Sequence, residues 1–355
     1  MPAWTWIIPA LSLGLLAVAV GIGVTPMLAV IFGAALIGAV IASVHHAEVI
    51  AHRVGEPFGT LVFAVAVTVI EASLILAIML TGGAEAAAVP RDTIYAAVMI
   101  ICNGVIGACM LFGGVAHREQ TFRVEGAGPA LAALIALSTF TLILPAFTTT
   151  TPSGTYSDRQ LAFFAATSAA LWAVFVFIQT VRHRDYFLPA EDAADINAHA
   201  EAPTSGAAWL SFGLLIGCLV SVVGLAKILS PNIEHAVDYV GAPKAVLGIV
   251  IAMLVLLPET WAAIRAARAN RLQTSMNLAL GSALASIGLT IPVVAIVSIV
   301  FSLPLTLGVT PKDLVMLMLT LLVCAVTLGT GRTHVMGGAV HLVIFAAFLF
   351  LAFVP

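Results

Sequence analysis

Two glutamates, Glu71 and Glu259, stand where carboxylates are least expected. The first lies in FAVAVTVIEASLILAIML and the second in GIVIAMLVLLPETWAAI, each near the middle of a run with no other charge. A charged carboxylate at the centre of an apolar layer costs roughly 2.5–3.5 kcal/mol on insertion scales, so such groups are retained for an ion or proton pathway. Hard cations such as Ca²⁺ take carboxylate, carbonyl and water oxygens, and two glutamates balance one divalent charge. Without a cation the pair must be protonated or otherwise neutralised, because desolvation penalises the charged form. Competition between a cation and protons for the same oxygens is the physical core of an antiporter.

Weaker candidates surround the pair. Thr68 lies three positions before Glu71 and shares its helix face. Pro258, directly before Glu259, lacks a backbone N–H and so frees the carbonyl one turn earlier. Asn103, Ser282 and Ser286 can supply neutral oxygens from the helices that follow each glutamate. Against these roles, hydroxyls in membrane helices often bond their own helix carbonyls and an asparagine often bridges helices.

The elements that must position these groups follow from composition. Of 355 residues, 61% are hydrophobic and 9% charged, against about 25% charged in a soluble domain, so the chain belongs in a lipid bilayer. A net charge of −3 offers no footprint for nucleic acid. A spanning helix needs about 20 apolar residues. Cutting at charges and Gly/Pro/Asn clusters predicts eleven spans, near 4–22, 26–44, 58–81, 92–115, 127–147, 160–181, 206–229, 243–267, 275–301, 310–328 and 335–354. No basic leader with a small-residue cleavage site is evident. The expected fold is therefore an all-α integral membrane protein.

The surroundings of the two glutamates correspond. Gly55-Glu56-Pro57 precedes Glu71 much as Gly241-Ala242-Pro243 precedes Glu259, and each glutamate segment is followed by a helix of small and polar residues, CNGVIG at 102–107 and NLALGSALASIGLTIP at 277–292. This reads as a duplication. The expected organisation is an N-terminal helix (1–24), a first five-helix repeat (25–181), an acidic linker (182–205) and a second five-helix repeat (206–355), with the odd helix number inverting the second copy. Inverted repeats with broken or kinked helices at the midplane are a secondary-transporter design. Nine Lys and Arg on the N-terminal side against five on the other place the N-terminus in the cytoplasm and the C-terminus outside.

The segments 55–75, 258–292 and GGAVHLVIFAAFLFLAF (337–353) resemble the ChaA-type calcium/proton antiporters of bacteria, a branch of the cation/calcium exchanger superfamily. The resemblance implies one leading helix plus two inverted five-helix halves in a bacterial inner membrane. It implies exchange of cytoplasmic Ca²⁺ for external protons without a further cofactor, with Na⁺/H⁺ or K⁺/H⁺ exchange as the alternative in the same group. Glu71 and Glu259 match the family's glutamates, Pro258-Glu259 its Pro-Glu ending, Gly281-Ser282 its glycine-serine pair, and Asn103 an asparagine near the corresponding place in the first half. Val67-Thr68-Val69 and Val255-Leu256-Leu257 lack the family's glycine and most of its polar groups, which fits a site where two carboxylates do most of the coordination.

Other features carry less. His45, His46 and His52 read as a solvated loop at the cytoplasmic mouth, with proton or cation gating as the sharper alternative. His341, inside an apolar run, reads as bonded to a neighbouring carbonyl. The four cysteines lack disulfide or zinc spacing. A channel would need a continuous wettable lining, and no HExxH, GxSxG or Walker lysine motif supports an enzyme or an ATP-driven pump. Gly104, Gly107, Gly281 and Gly288 are expected to permit close, movable helix contacts.

Overall fold

A computed structural model describes residues 2–22, 24–55, 58–188, 203–239, 241, 243 and 245–354. Among these, eleven helices are long and apolar enough to cross a membrane. We number them α1 (Trp4–Gly21), α2 (Pro26–Val54), α3 (Phe58–Gly82), α4 (Val89–His117), α5 (Val124–Ala146), α6 (Asp158–Arg182), α7 (Ser205–Tyr239), α8 (Ala245–Arg268), α9 (Leu272–Phe301), α10 (Pro311–Leu328) and α11 (Val335–Phe353). Several starts are written locally. Thr25 and Thr310 accept from the first turns of α2 and α10, each with proline next in sequence, where its missing N–H costs nothing. Ser157 and Gln160 close a capping box on α6.

Helix α4 is the centre of the bundle: 89% of its most apolar stretch is buried, against 22% for α1. One apolar core gathers around α4, α5, α9 and α11, and a second around α2, α3 and α7. Helix α8 belongs to both, giving Ala252, Leu256 and Ala263 to the first and Leu247, Ile251 and Val255 to the second. Helices pair across the chain's midpoint: α2 with α7, α3 with α9, and α4 with α8.

The connecting segments are tied in two matching sets. At one end of the bundle β1 (Glu119–Thr121), between α4 and α5, pairs antiparallel with β2 (Arg332–His334), between α10 and α11. From β1, Gln120 Nε2 donates to the Ala267 carbonyl (2.9 Å) and to Asn270 Oδ1 (3.0 Å) after α8. At the other end the α9–α10 link donates to the α5–α6 link, Leu307 and Gly308 N–H to the Gly154 carbonyl (2.8 and 2.9 Å), and Thr306 N–H reaches the Ala87 carbonyl before α4 (2.9 Å).

Three expectations change. Helix α2 does not stop at residue 44 but runs to Val54, so His45, His46 and His52 are helical rather than in a loop. His46 is fully buried because it has partners: Nε2 pairs with the Thr5 carbonyl (2.8 Å) and Nδ1 with Ser211 Oγ (3.2 Å). Second, α7 extends to Tyr239, ten residues past the predicted end. Third, the irregular turns are π turns, at Ile100–Val105 in α4, Thr139–Ile143 in α5 and Ile178–Arg182 in α6, while α8 runs unbroken through Pro258. Within the expected linker, Arg184–Phe187 forms a short 3₁₀ turn; residues 189–202 lie outside the described residues, as do Glu56, Pro57 and Ala242 of the paired motifs.

A candidate cation and proton site

Helix α3 carries Glu71, α8 carries Glu259, and α9 packs against both. Both carboxylates are buried, 2% and 7% exposed. Ser282 and Ser286 sit one turn apart on α9, hence on one face, and divide their work. Ser286 Oγ donates to Glu71 Oε2 (2.5 Å) and Ser282 Oγ to Glu259 Oε2 (2.6 Å). The hydroxyls thus turn outward to the glutamates instead of back to their own helix. The Glu71 carboxylate lies close enough to act electrostatically on Glu259.

The hydrogen bonding is incomplete. Glu71 Oε1 is buried without a partner among the described residues, and a buried acceptor left unmet costs about 1–3 kcal/mol. Beside Glu259 and Ser282 a cavity is walled by Ile101 and Val105 of α4, Leu256 and Thr260 of α8, and Leu278 and Ala279 of α9. It gives the centre of a water-sized sphere about 10 Å³, which is near the minimum for one water. Two carboxylates and two hydroxyls, all hard oxygens, are the donor set that alkali and alkaline-earth cations prefer. Among the described residues no three His, Cys, Asp or Glu side chains converge as a metal-holding group.

The other sequence candidates fall elsewhere. Thr68 is buried, but its hydroxyl donates to the Ala64 carbonyl of its own helix (2.9 Å). Pro258 occupies a half-buried position in α8, where the Leu254 carbonyl loses its usual donor. Asn103 points away from the pair. Its Nδ2 donates to Thr320 Oγ1 (2.8 Å), and its Oδ1 pairs with His341 Nδ1 (3.2 Å). His341 Nε2 in turn meets Thr327 Oγ1 (2.9 Å), so side chains hold this histidine together with the expected carbonyl, that of Cys102. Thr320 and Thr327 escaped the sequence reading; their only signal is a helical spacing of hydroxyls along α10. Of the four glycines, Gly104 admits the Phe345 ring, Gly107 lies against His341 and Leu342, and Gly288 against Trp172, whereas a side chain at Gly281 would meet nothing within 4 Å. All four cysteines are free and buried.

Eleven apolar helices around a buried pair of carboxylates define a multi-pass membrane protein. The sodium/calcium exchanger protein family model matches residues 24–181 and 210–354, and the chain belongs to that family of transporters. A Sinorhizobium fredii protein named y4hA, a candidate ionic transporter, is 48% identical over 359 residues, covering 100% of this chain and 97% of its own length. The sodium-potassium/proton antiporter ChaA of Escherichia coli is 36% identical over 313 residues, 87% of this chain and 84% of that one. In three dimensions the chain is similar to YfkE, a Ca²⁺/H⁺ antiporter protein, with a TM-score of 0.73 at 18% identity over 99% of this chain and 100% of the other; that likeness establishes the fold.

Proposed function

We propose that the protein exports Ca²⁺ in exchange for protons by alternating access, with Glu71 and Glu259 binding either the cation or protons. The observation that carries this reading is the buried carboxylate pair, with each glutamate held by its own serine and one Glu71 oxygen still unmet. A divalent cation between the two balances their charge; when it leaves, protons must replace it, since two bare carboxylates in an apolar interior repel each other and lack solvation. Serine hydroxyls serve both states, accepting or donating as the carboxyl changes.

Two inverted halves, residues 25–181 and 206–355, supply the geometry. Exchanging them maps the α3–α9 packing onto α8–α4 and the loop ties of one end onto those of the other, which supports the duplication. Helix α1 stands outside this exchange. The N-terminus lies in the cytoplasm of a bacterial inner membrane and the C-terminus outside, on the positive-inside bias of the Lys and Arg residues.

The second reading is Na⁺(K⁺)/H⁺ exchange at the same carboxylates, favoured by the 36% identity to a sodium-potassium/proton antiporter. Reconstitution in proteoliposomes, with proton flux followed as Ca²⁺, Na⁺ and K⁺ are added separately, decides between them. Flux with Ca²⁺ alone supports the first reading, and flux with Na⁺ or K⁺ alone replaces it by the second.

A further inference from the structure

The π turn of α4 has two sides. One side, through Ile101 and Val105, walls the cavity beside Glu259. The other presents Asn103 to α10 and α11, where it is fully buried among Thr320, Met99 and His341. A π turn inserted in a helix often marks a functional position, and this one is fastened by a histidine. The contact is close, because Gly107 lets α11 approach until a Cβ there would stand 2.8 Å from that of His341.

The hydrogen bonds around His341 admit one extra proton without leaving a donor or acceptor unmet. Asn103 Nδ2 donates to Thr320 Oγ1, whose own proton goes to the Met316 carbonyl (2.8 Å). The amide oxygen therefore faces His341, and Nδ1 carries a proton. In the neutral ring Nε2 accepts from the Thr327 hydroxyl. In the protonated ring Nε2–H donates to Thr327 Oγ1, and that hydroxyl turns to donate to the Val323 carbonyl, 2.8 Å away. One proton added to Nε2 requires only one hydroxyl rotation. The Cys102 carbonyl of α4 also bonds the ring, the Cys102 and Cys324 thiols pair with each other, and α8 brings Glu259 against the opposite side of the α4 turn.

We propose that His341 is a proton-binding positioning residue: its protonation, buffered by Thr327 and passed through Asn103, sets how the α4 π turn walls the Glu259 side of the carboxylate pair. This rests on the carboxylate site proposed above and adds to it a second proton-sensitive group that never touches the cation. It makes cation affinity depend on pH by more than competition at the glutamates.

The test is the KM for the transported cation in proteoliposomes at about pH 5 and about pH 8, the limits between which histidine changes charge, for wild type, H341Q and T327V. Cation uptake is followed directly, so KM is read whether or not protons move. T327V keeps the imidazole and nearly the same shape but removes the hydroxyl that accommodates the protonated ring, and it serves where H341Q fails to fold. Both variants are expected to change the ratio of KM at the two pH values by about threefold or more, in the same direction, with the rate at saturating cation near pH 8 largely kept. Loss of stability or rate at both pH values with the wild-type ratio intact would reduce the network to packing and overturn the proposal. Absence of proton flux in wild type is a separate outcome, which overturns the antiporter reading alone.

Discussion

Two buried polar clusters lie on opposite sides of α4, and they differ in what they leave undone. The cluster of α3, α8 and α9 holds two carboxylates with one serine each and an oxygen of Glu71 without a partner among the described residues. The cluster of α4, α10 and α11 holds Asn103, His341, Thr320 and Thr327, and its members satisfy one another. Burial and polarity are common to both. Unmet acceptor capacity together with formal charge separates a place where an ion is wanted from a place where helices are fastened.

Removing the charge should break that distinction most severely. Glu71→Gln or Glu259→Gln keeps volume and hydrogen bonding but removes a carboxylate, and either should abolish exchange while leaving protein levels intact, as transport assays beside immunoblots will show. Next in size is Ser286→Ala. A hydrogen bond to a charged group contributes about 1.5–3 kcal/mol, so KM should rise about tenfold with little loss of stability. Asn103→Ala acts on the other cluster and should cost chiefly stability, with the pH dependence of KM altered as in the His341 variant. It takes the side-chain partner from His341 Nδ1, costing about 1–3 kcal/mol; the thermal midpoint should fall by several degrees while exchange persists in the protein that remains folded. Smallest is Thr68→Val. Its hydroxyl is satisfied within α3, so KM should stay within about twofold of wild type. A tenfold change there would mean that Thr68 belongs to the site after all.

Much of this was legible in the sequence, for identifiable reasons. Eleven spans stand out because a helix needs an unbroken apolar stretch to cross lipid, and Glu71 and Glu259 stand out because nearly every other charge keeps to loops and the ends of spans. Ser282 and Ser286 were legible as hydroxyls on the helix of small residues that follows Glu259. The direction in which Asn103 points was not. It depends on a π turn, which has no residue signature, and on His341, a partner 238 positions away. The same holds for α2: three histidines resemble a loop until Thr5 and Ser211, brought from α1 and α7, accept His46 into the interior. Local pattern located the charges, while long-range pairing decided which polar groups are spoken for.

The central claim is that one pair of carboxylates takes either a cation or protons. Proton release from purified protein in weakly buffered detergent solution, recorded as cation is titrated in, tests it at equilibrium and without membranes. Wild type should release protons in step with cation binding, and the double variant Glu71→Gln/Glu259→Gln should bind no cation and release none. Cation binding with undiminished proton release from that double variant would place the exchange site elsewhere in the molecule.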